Sequence, residues 1–248
     1  MTTIPAALGI DVGATGIKGA PVDMATGLLL EERYKLATPD SGKPAEMIAT
    51  IKTLVEHFSW QGKPIGIGFP AVIKDGKSMT ASNIDKEWIG YPIIDSLSKE
   101  LGVDVPVIND ADAAGQAEIG FGLGKGVAGT VILLTLGTGI GSAIFKDGAL
   151  LQNTELGQIK YKGKIAEKLV SNAARKKNKL LWEEYGEALG GYLRYIDSLF
   201  YPNLIILGGG VSKKFENYSA HFSDLPHVKP ATQKNDAGIV GAAFATTT

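Results

Sequence analysis

Three short glycine-rich reversals stand out: Gly13-Ala14-Thr15-Gly16, Gly137-Thr138-Gly139-Ile140-Gly141 and Gly208-Gly209-Gly210. Without bulky side chains, their backbone N–H groups can approach phosphate oxygens. The first two carry a threonine hydroxyl at the reversal, and Asp11 stands just before the first, at the end of an apolar run. None fits a P-loop, because no Gly stands the required distance before Gly-Lys-Ser or Gly-Lys-Thr. The dinucleotide fingerprint does not fit either, since the first two turns lead into strands rather than helices. Taken singly, each turn is also explained as a tight hairpin. Asn109-Asp110 precedes a helical pattern, where an amide and a carboxylate serve as helix caps or hold a ligand hydroxyl. Between 160 and 179, Lys160, Lys162, Lys164, Lys168, Arg175, Lys176, Lys177 and Lys179 are basic and Glu167 alone is acidic. Such a run is either a solvated face or a track for a polyanion.

Local patterns supply the elements that must position these residues. Ala6–Val12 and Ile17–Val22 read as two strands around the first turn, and Thr130–Leu136 and Ser142–Phe145 as two more around the second. Helical periodicity runs over 45–58, 93–101, 111–119 and 182–200, with a small-residue helix at 237–244. Short strands are expected at 64–69, 105–108 and 204–207. The recurrence of strand, glycine turn and strand hints at two related halves.

Composition bounds the rest. The 248 residues, 44% hydrophobic and 21% charged, suffice for a buried core in roughly one large or two small domains, which excludes disorder and coiled coil. A net charge of −1 leaves no overall field for nucleic acid or membrane, and neither is expected as a partner. With no cysteine there is no disulfide, iron–sulfur cluster, thiol nucleophile or thiolate zinc site, and only 3 His remain for metal work. The start of the chain has no basic leader, and no apolar run approaches the ~20 residues of a membrane span, so a cytoplasmic protein is expected. Glycine, at 32 residues, is nearly twice its usual ~7% share and is clustered at the turns.

Gly9-Ile10-Asp11-Val12-Gly13-Ala14-Thr15-Gly16-Ile17-Lys18 resembles the phosphate-1 motif of the hexokinase/actin-like superfamily, and Leu136-Gly137-Thr138-Gly139-Ile140-Gly141 resembles its phosphate-2 motif. Asn109-Asp110-Ala111-Asp112-Ala113-Ala114 is similar to the Asn-Asp-Ala-Asn-Ala-Ala element of the repressor/ORF/kinase (ROK) sugar kinases, and Leu207-Gly208-Gly209-Gly210-Val211-Ser212 to their adenosine motif. The four motifs stand in order across nearly the whole chain. The resemblance implies an α/β protein of two ribonuclease-H-like lobes around a cleft, residues 1–110 forming one and 111–248 the other, with the 237–248 helix available to pack back on the first. Most ROK kinases carry His after Glu-x-Gly and then a cysteine-rich zinc loop; here Glu155-Leu156-Gly157-Gln158 is followed by no cysteine, which implies no zinc. In this the chain looks like the polyphosphate-dependent glucokinases and glucomannokinases.

The resemblance then assigns roles. Phosphoryl transfer to a sugar hydroxyl needs a base, exclusion of water, Mg²⁺ on the donor and groups to hold developing charge. Asp110 is the candidate base. Asn83, Asn109, Asp110, Glu155 and Glu167 are candidate sugar contacts. Asp11 is a candidate for holding Mg²⁺ through water. Gly13, Thr15, Lys18, Gly137, Thr138, Gly139, Gly208, Gly209 and Gly210 are candidates, with Asp11, for the phosphates and nucleotide. The implied substrates are glucose or mannose with polyphosphate or ATP, the 6-hydroxyl being the acceptor. An ATP-only kinase of another hexose or amino sugar and a non-catalytic sugar-binding module are the alternatives, and a homodimer is compatible with the chain. A family transcription regulator would need a helix-turn-helix, for which the first ten residues leave no room.

Overall fold

The computed structural model describes residues 5–82 and 84–247. The candidate sugar contact Asn83 lies outside the described residues. In chain order the elements are β1 (Ala6–Gly13), β2 (Gly16–Asp23), β3 (Tyr34–Leu36), α1 (Pro44–His57), β4 (Ile65–Phe69), β5 (Ile73–Lys74), β6 (Lys77–Ser78), α2 (Ile93–Leu101), β7 (Val107–Asn109) and α3 (Asp110–Phe121). There follow β8 (Thr130–Leu136), β9 (Ile140–Lys146), β10 (Ala149–Leu151), β11 (Lys160–Tyr161), β12 (Lys164–Ile165), α4 (Glu167–Val170), α5 (Asn172–Lys177), α6 (Trp182–Phe200), β13 (Leu204–Gly208), β14 (Val228–Pro230) and α7 (Ala237–Phe244). No helix among the described residues is long and apolar enough to cross a membrane.

The chain forms two compact units. One is built by the residues through Phe121 together with those from Asp236 onward, the other by Gly122–Asn235. The division falls at Gly122 rather than at the expected 110, because α3 packs on α7 and so stays with the first unit.

The first unit is a five-stranded sheet in the order β3-β2-β1-β4-β7. β1, β2 and β3 pair antiparallel as a meander, and β4 and β7 run parallel to β1. Alternation decides its faces: Leu8, Ile10 and Val12 of β1 enter one core with Met47 and Ile51 of α1, whereas Ala7 joins Ile239 and Ala243 of α7 on the other face. There the sheet is smooth. A Cβ on Gly9 or Gly66 would run into the backbone of Ile239 or Ala242, so glycine at both positions lets α7 settle on β1 and β4. Trp88, fully buried, donates its indole N–H to the Gly42 carbonyl at 2.9 Å and fixes the loop before α1.

The second unit repeats the plan. Its sheet has the order β10-β9-β8-β13-β14, with β8, β9 and β10 antiparallel and β13 and β14 parallel to β8. Ile132, Leu134 and Leu136 of β8 pack with Tyr185, Leu189, Leu193 and Ile196, the apolar stripe of α6. The two related halves expected from the glycine turns are therefore two copies of one topology. The predicted strand at 105–108 is displaced to 107–109, and β3, β5, β6, β10, β11, β12 and β14 have no counterpart in the sequence reading, being two or three residues long.

Candidate active site

In the first unit the predicted residues gather at the carboxyl ends of the parallel strands, the usual place for ligands in open α/β sheets. Register explains this. Asp11 of β1 lies beside Gly68 of β4, and Phe69 beside Asn109 of β7, so Asp11 and the Asn109-Asp110 pair end neighbouring strands at nearly the same level. Asn109 is the true cap of α3: its Oδ1 accepts from the N–H of Ala111 at 2.8 Å and of Asp112 at 3.4 Å, and its amide donates to the Ala71 carbonyl at 3.1 Å. Asp110, in the first turn, accepts from the Ala111 N–H at 2.9 Å.

The Asp110 carboxyl is pushed up to about 6, first by burial and then by the charge of Asp11. Its surface is nonetheless open. The two observations agree if one face of the carboxylate meets solvent while protein encloses its flanks and back. That combination suits a general base, which needs reach to a hydroxyl and a proton affinity near the working pH.

Lys18 faces Asp11 directly across the β1–β2 ladder, and its Nζ lies 3.0 Å from Asp11 Oδ2. The expected phosphate-binding lysine is thus also the counter-charge of the expected Mg²⁺-holding aspartate. Thr15 is exposed in the turn between Gly13 and Gly16 and lines a cavity of about 570 Å³ with Thr38, Asp40, Ser41 and Asp85. Thr38 Oγ1 donates to the Gly13 carbonyl at 2.6 Å and braces the turn.

Mg²⁺ in phosphoryl-transfer sites keeps several waters and takes one or two carboxylates plus donor phosphates. Among the described residues no three His, Cys, Asp or Glu gather into a metal cage. Asp11, its side chain 20% exposed and next to the open Asp110, fits the hydrated mode.

In the second unit the glycine turns adjoin. Gly208 pairs with Thr135 across β13 and β8, so Gly208–Gly210 and Gly137–Gly139 leave neighbouring parallel strands side by side. Thr138 is exposed at the tip. The Gly137 N–H donates to the Gly139 carbonyl at 3.0 Å. Glu167 begins α4 with its side chain 16% exposed, and Lys168 Nζ sits 3.0 Å from its Oε1. A Cβ on Gly139 would stand 2.5 Å from the Glu167 carboxylate, so the glycine admits the carboxylate to the turn. Glu155 is exposed two residues before Gly157, whose Cα abuts the Ile140 backbone. Glu167 therefore belongs to the β8–β9 turn, and Glu155 leads into the segment packed on the start of β9.

Sequence reasoning missed Ser142. It is buried on β9, donates to the Thr154 carbonyl at 2.7 Å and accepts from the Leu156 N–H at 2.9 Å, so it clamps both residues flanking Glu155. Its signal was a lone hydroxyl in an otherwise apolar strand. The basic run also divides. Lys176, Lys177 and Lys179 are exposed, whereas Arg175 lies 4.1 Å from the Trp182 ring centre and donates to Asn172 Oδ1 at 3.2 Å and the Leu180 carbonyl at 3.3 Å. The Ala173 N–H donates to the Gly137 carbonyl at 3.1 Å, fastening the start of α5 to the phosphate turn.

The chain as a whole is similar to known proteins. The polyphosphate glucokinase of Mycobacterium tuberculosis (strain H37Rv) is 42% identical over 245 residues, covering 98% of this chain and 92% of that one. The polyphosphate glucokinase of Mycobacterium leprae is 40% identical over 240 residues, covering 96% and 74%. The crystal structure of inorganic polyphosphate/ATP-glucomannokinase from Arthrobacter sp. strain KM matches with a TM-score of 0.88 at 42% identity over 98% of each chain. A ROK family glucokinase from Streptomyces griseus, crystallised with glucose and AMPPNP, matches with a TM-score of 0.80 at 26% identity over 97% of this chain and 98% of that one. The ROK family profile matches residues 7–159. With that profile spanning the first two glycine turns and the Asn109-Asp110 element, and with relatives matched over nearly the whole of this chain, the chain belongs to the ROK family.

Proposed function

We propose that this chain is a polyphosphate/ATP-glucose phosphotransferase that phosphorylates the 6-hydroxyl of glucose and accepts mannose. The observation that carries the reading is Asp110, an exposed residue at the carboxyl end of the sheet beside Asp11, whose carboxyl is raised to about 6. The relatives named polyphosphate glucokinase and glucomannokinase support the substrates.

Asp110 accepts the proton of the sugar hydroxyl as the hydroxyl oxygen bonds to the terminal phosphorus and the bridging oxygen departs with the rest of the donor. The Ala111 N–H at 2.9 Å orients the carboxylate. Asn109, Glu155 and Glu167 bind hydroxyls of the hexose, because a sugar is told apart by polar partners placed for its hydroxyls. The amides of Thr138 and Gly139 and the Thr138 hydroxyl hold the transferring phosphate, and Gly13, Thr15 and Lys18 hold donor phosphates from the first unit's turn. Gly208–Gly210 serve the nucleotide when ATP is the donor. Mg²⁺ held by Asp11 through water would neutralise the donor's charge.

The polyphosphate arm of the proposal rests on α5. Because Ala173 is bonded to Gly137, Lys176 and Lys177 lie one turn, about 5.4 Å, further along a helix that starts at the phosphate turn. A linear polyanion seated at Thr138 can continue along them.

The test is Asp110→Asn measured with polyphosphate and ATP against glucose and mannose. Turnover should fall about 10²-fold or more with every substrate pair, since general-base catalysis contributes 10² to 10⁴. Glucose binding by calorimetry should stay within a few-fold. Turnover within threefold of the parent removes Asp110 from the base role, and a parent inactive with polyphosphate leaves only the ATP kinase.

A further inference from the structure

Asp11 is met by two elements, β2 and α7. Lys18 Nζ approaches its Oδ2 to 3.0 Å from β2. α7 also begins here, and a Cβ built on Gly238 would stand 2.5 Å from the same Oδ2, 2.6 Å from Cγ and 3.1 Å from Cβ of Asp11. Real side chains do not come so close, so the carboxylate rests on the bare Cα of Gly238. Nothing in the backbone calls for glycine there: Gly238 is in the first turn of an ordinary helix, where alanine is the better helix former. The neighbours cannot yield. α7 is locked against β1, β4 and α3 through the close approaches at Gly9, Gly66 and Gly241, and β1 is bonded on both edges, to β2 and to β4. An added methyl group would therefore displace the one part free to turn, the Asp11 carboxylate.

We infer that Gly238 is a positioning residue for phosphoryl transfer, its missing side chain fixing where the Asp11 carboxylate points. The inference rests on the role proposed above for Asp11, and it connects the end of the chain to its first strand. Turning the carboxylate away withdraws it from Lys18 and from the hydrated cation it would hold, while leaving Asp110 and the sugar contacts in place.

Gly238→Ala, Asp11→Ala and the double variant test it, by turnover with glucose, by thermal midpoint and by Mn²⁺ binding to the enzyme–polyphosphate complex followed through water-proton relaxation. A misplacement of about 1 Å at a reacting site costs about 10²-fold, so Gly238→Ala should lose turnover on that order. It should also weaken Mn²⁺ binding, and the double variant should match Asp11→Ala within threefold, because two changes acting through one group are not additive. Should Gly238→Ala lower the thermal midpoint, Asp11→Ala in the same chain makes room for the methyl group and restores it. A midpoint that stays low, or losses of turnover that multiply in the double variant, overturns the proposal. So does a Gly238→Ala enzyme within threefold of the parent when Asp11→Ala is impaired. Full turnover in Asp11→Ala itself instead refutes the role of Asp11, and the Gly238 inference falls with it.

Discussion

Replacing Lys176, Lys177 and Lys179 together by Ser probes the donor track while sparing the fold. Arg175 must stay, because its contacts with Trp182, Asn172 and Leu180 tie α5 to α6 and its loss would unsettle the unit. Each lysine that neutralises one charge of a flexible polyanion contributes about 0.7 to the slope of log affinity against log salt. Three such contacts amount to a slope of about 2, or roughly 20-fold in affinity between 50 and 200 mM salt. The triple variant should therefore raise KM for long-chain polyphosphate at low salt by at least an order of magnitude and flatten its salt dependence by about 2 in slope. KM for ATP, which has only three phosphates to place at the glycine turns, should change less than threefold. The assay is glucose 6-phosphate formation with each donor across a salt series. An unchanged polyphosphate KM and salt slope would show that these lysines are a solvated face, whatever the enzyme's donor. Equal losses with both donors would mean that α5 serves the phosphate turn itself.

Three further expectations follow from particular groups. The Asp110 carboxyl sits above its unfolded value, so the folded state binds the extra proton between about pH 4 and 6 and loses stability as pH rises through that window. Asp110→Asn should thus raise the unfolding free energy at pH 8 by on the order of 1 kcal/mol, discounted for the group's open face, and the gain should vanish at pH 4; a gain independent of pH would contradict the raised value. The same group predicts an acid limb of kcat/KM near pH 6, which Asp110→Asn should abolish in its residual activity. Ser142→Ala leaves the buried Leu156 N–H without its acceptor, which costs about 1–3 kcal/mol, and slackens the segment bearing Glu155. Urea unfolding should show that loss together with a raised KM for glucose and a smaller change in kcat; an unchanged KM would separate Ser142 from the sugar.

What could be read from the amino-acid order alone is what neighbours in sequence decide. The β1–β2 and β8–β9 hairpins were legible because apolar runs broken by glycine and threonine leave the chain few alternatives, and α6 because its stripe of Tyr185, Leu189, Leu193 and Ile196 keeps the helical period. Asp11, Asn109-Asp110 and Thr138 could be singled out as candidates because each belongs to a short motif that resembles a family pattern. The edge strands β3 and β14 were not legible, since three residues carry no period and pair only because a central strand is already there. Tertiary structure alone decided how the candidate groups are spent. Lys18 faces Asp11 because of strand register, and Arg175 lies on Trp182 because α5 folds onto α6. Gly238 touches Asp11 because a helix more than two hundred residues later returns to the first strand. Each is a contact between segments whose separation along the chain leaves no trace in local composition, and so it is set only when the whole sheet and its covering helices assemble.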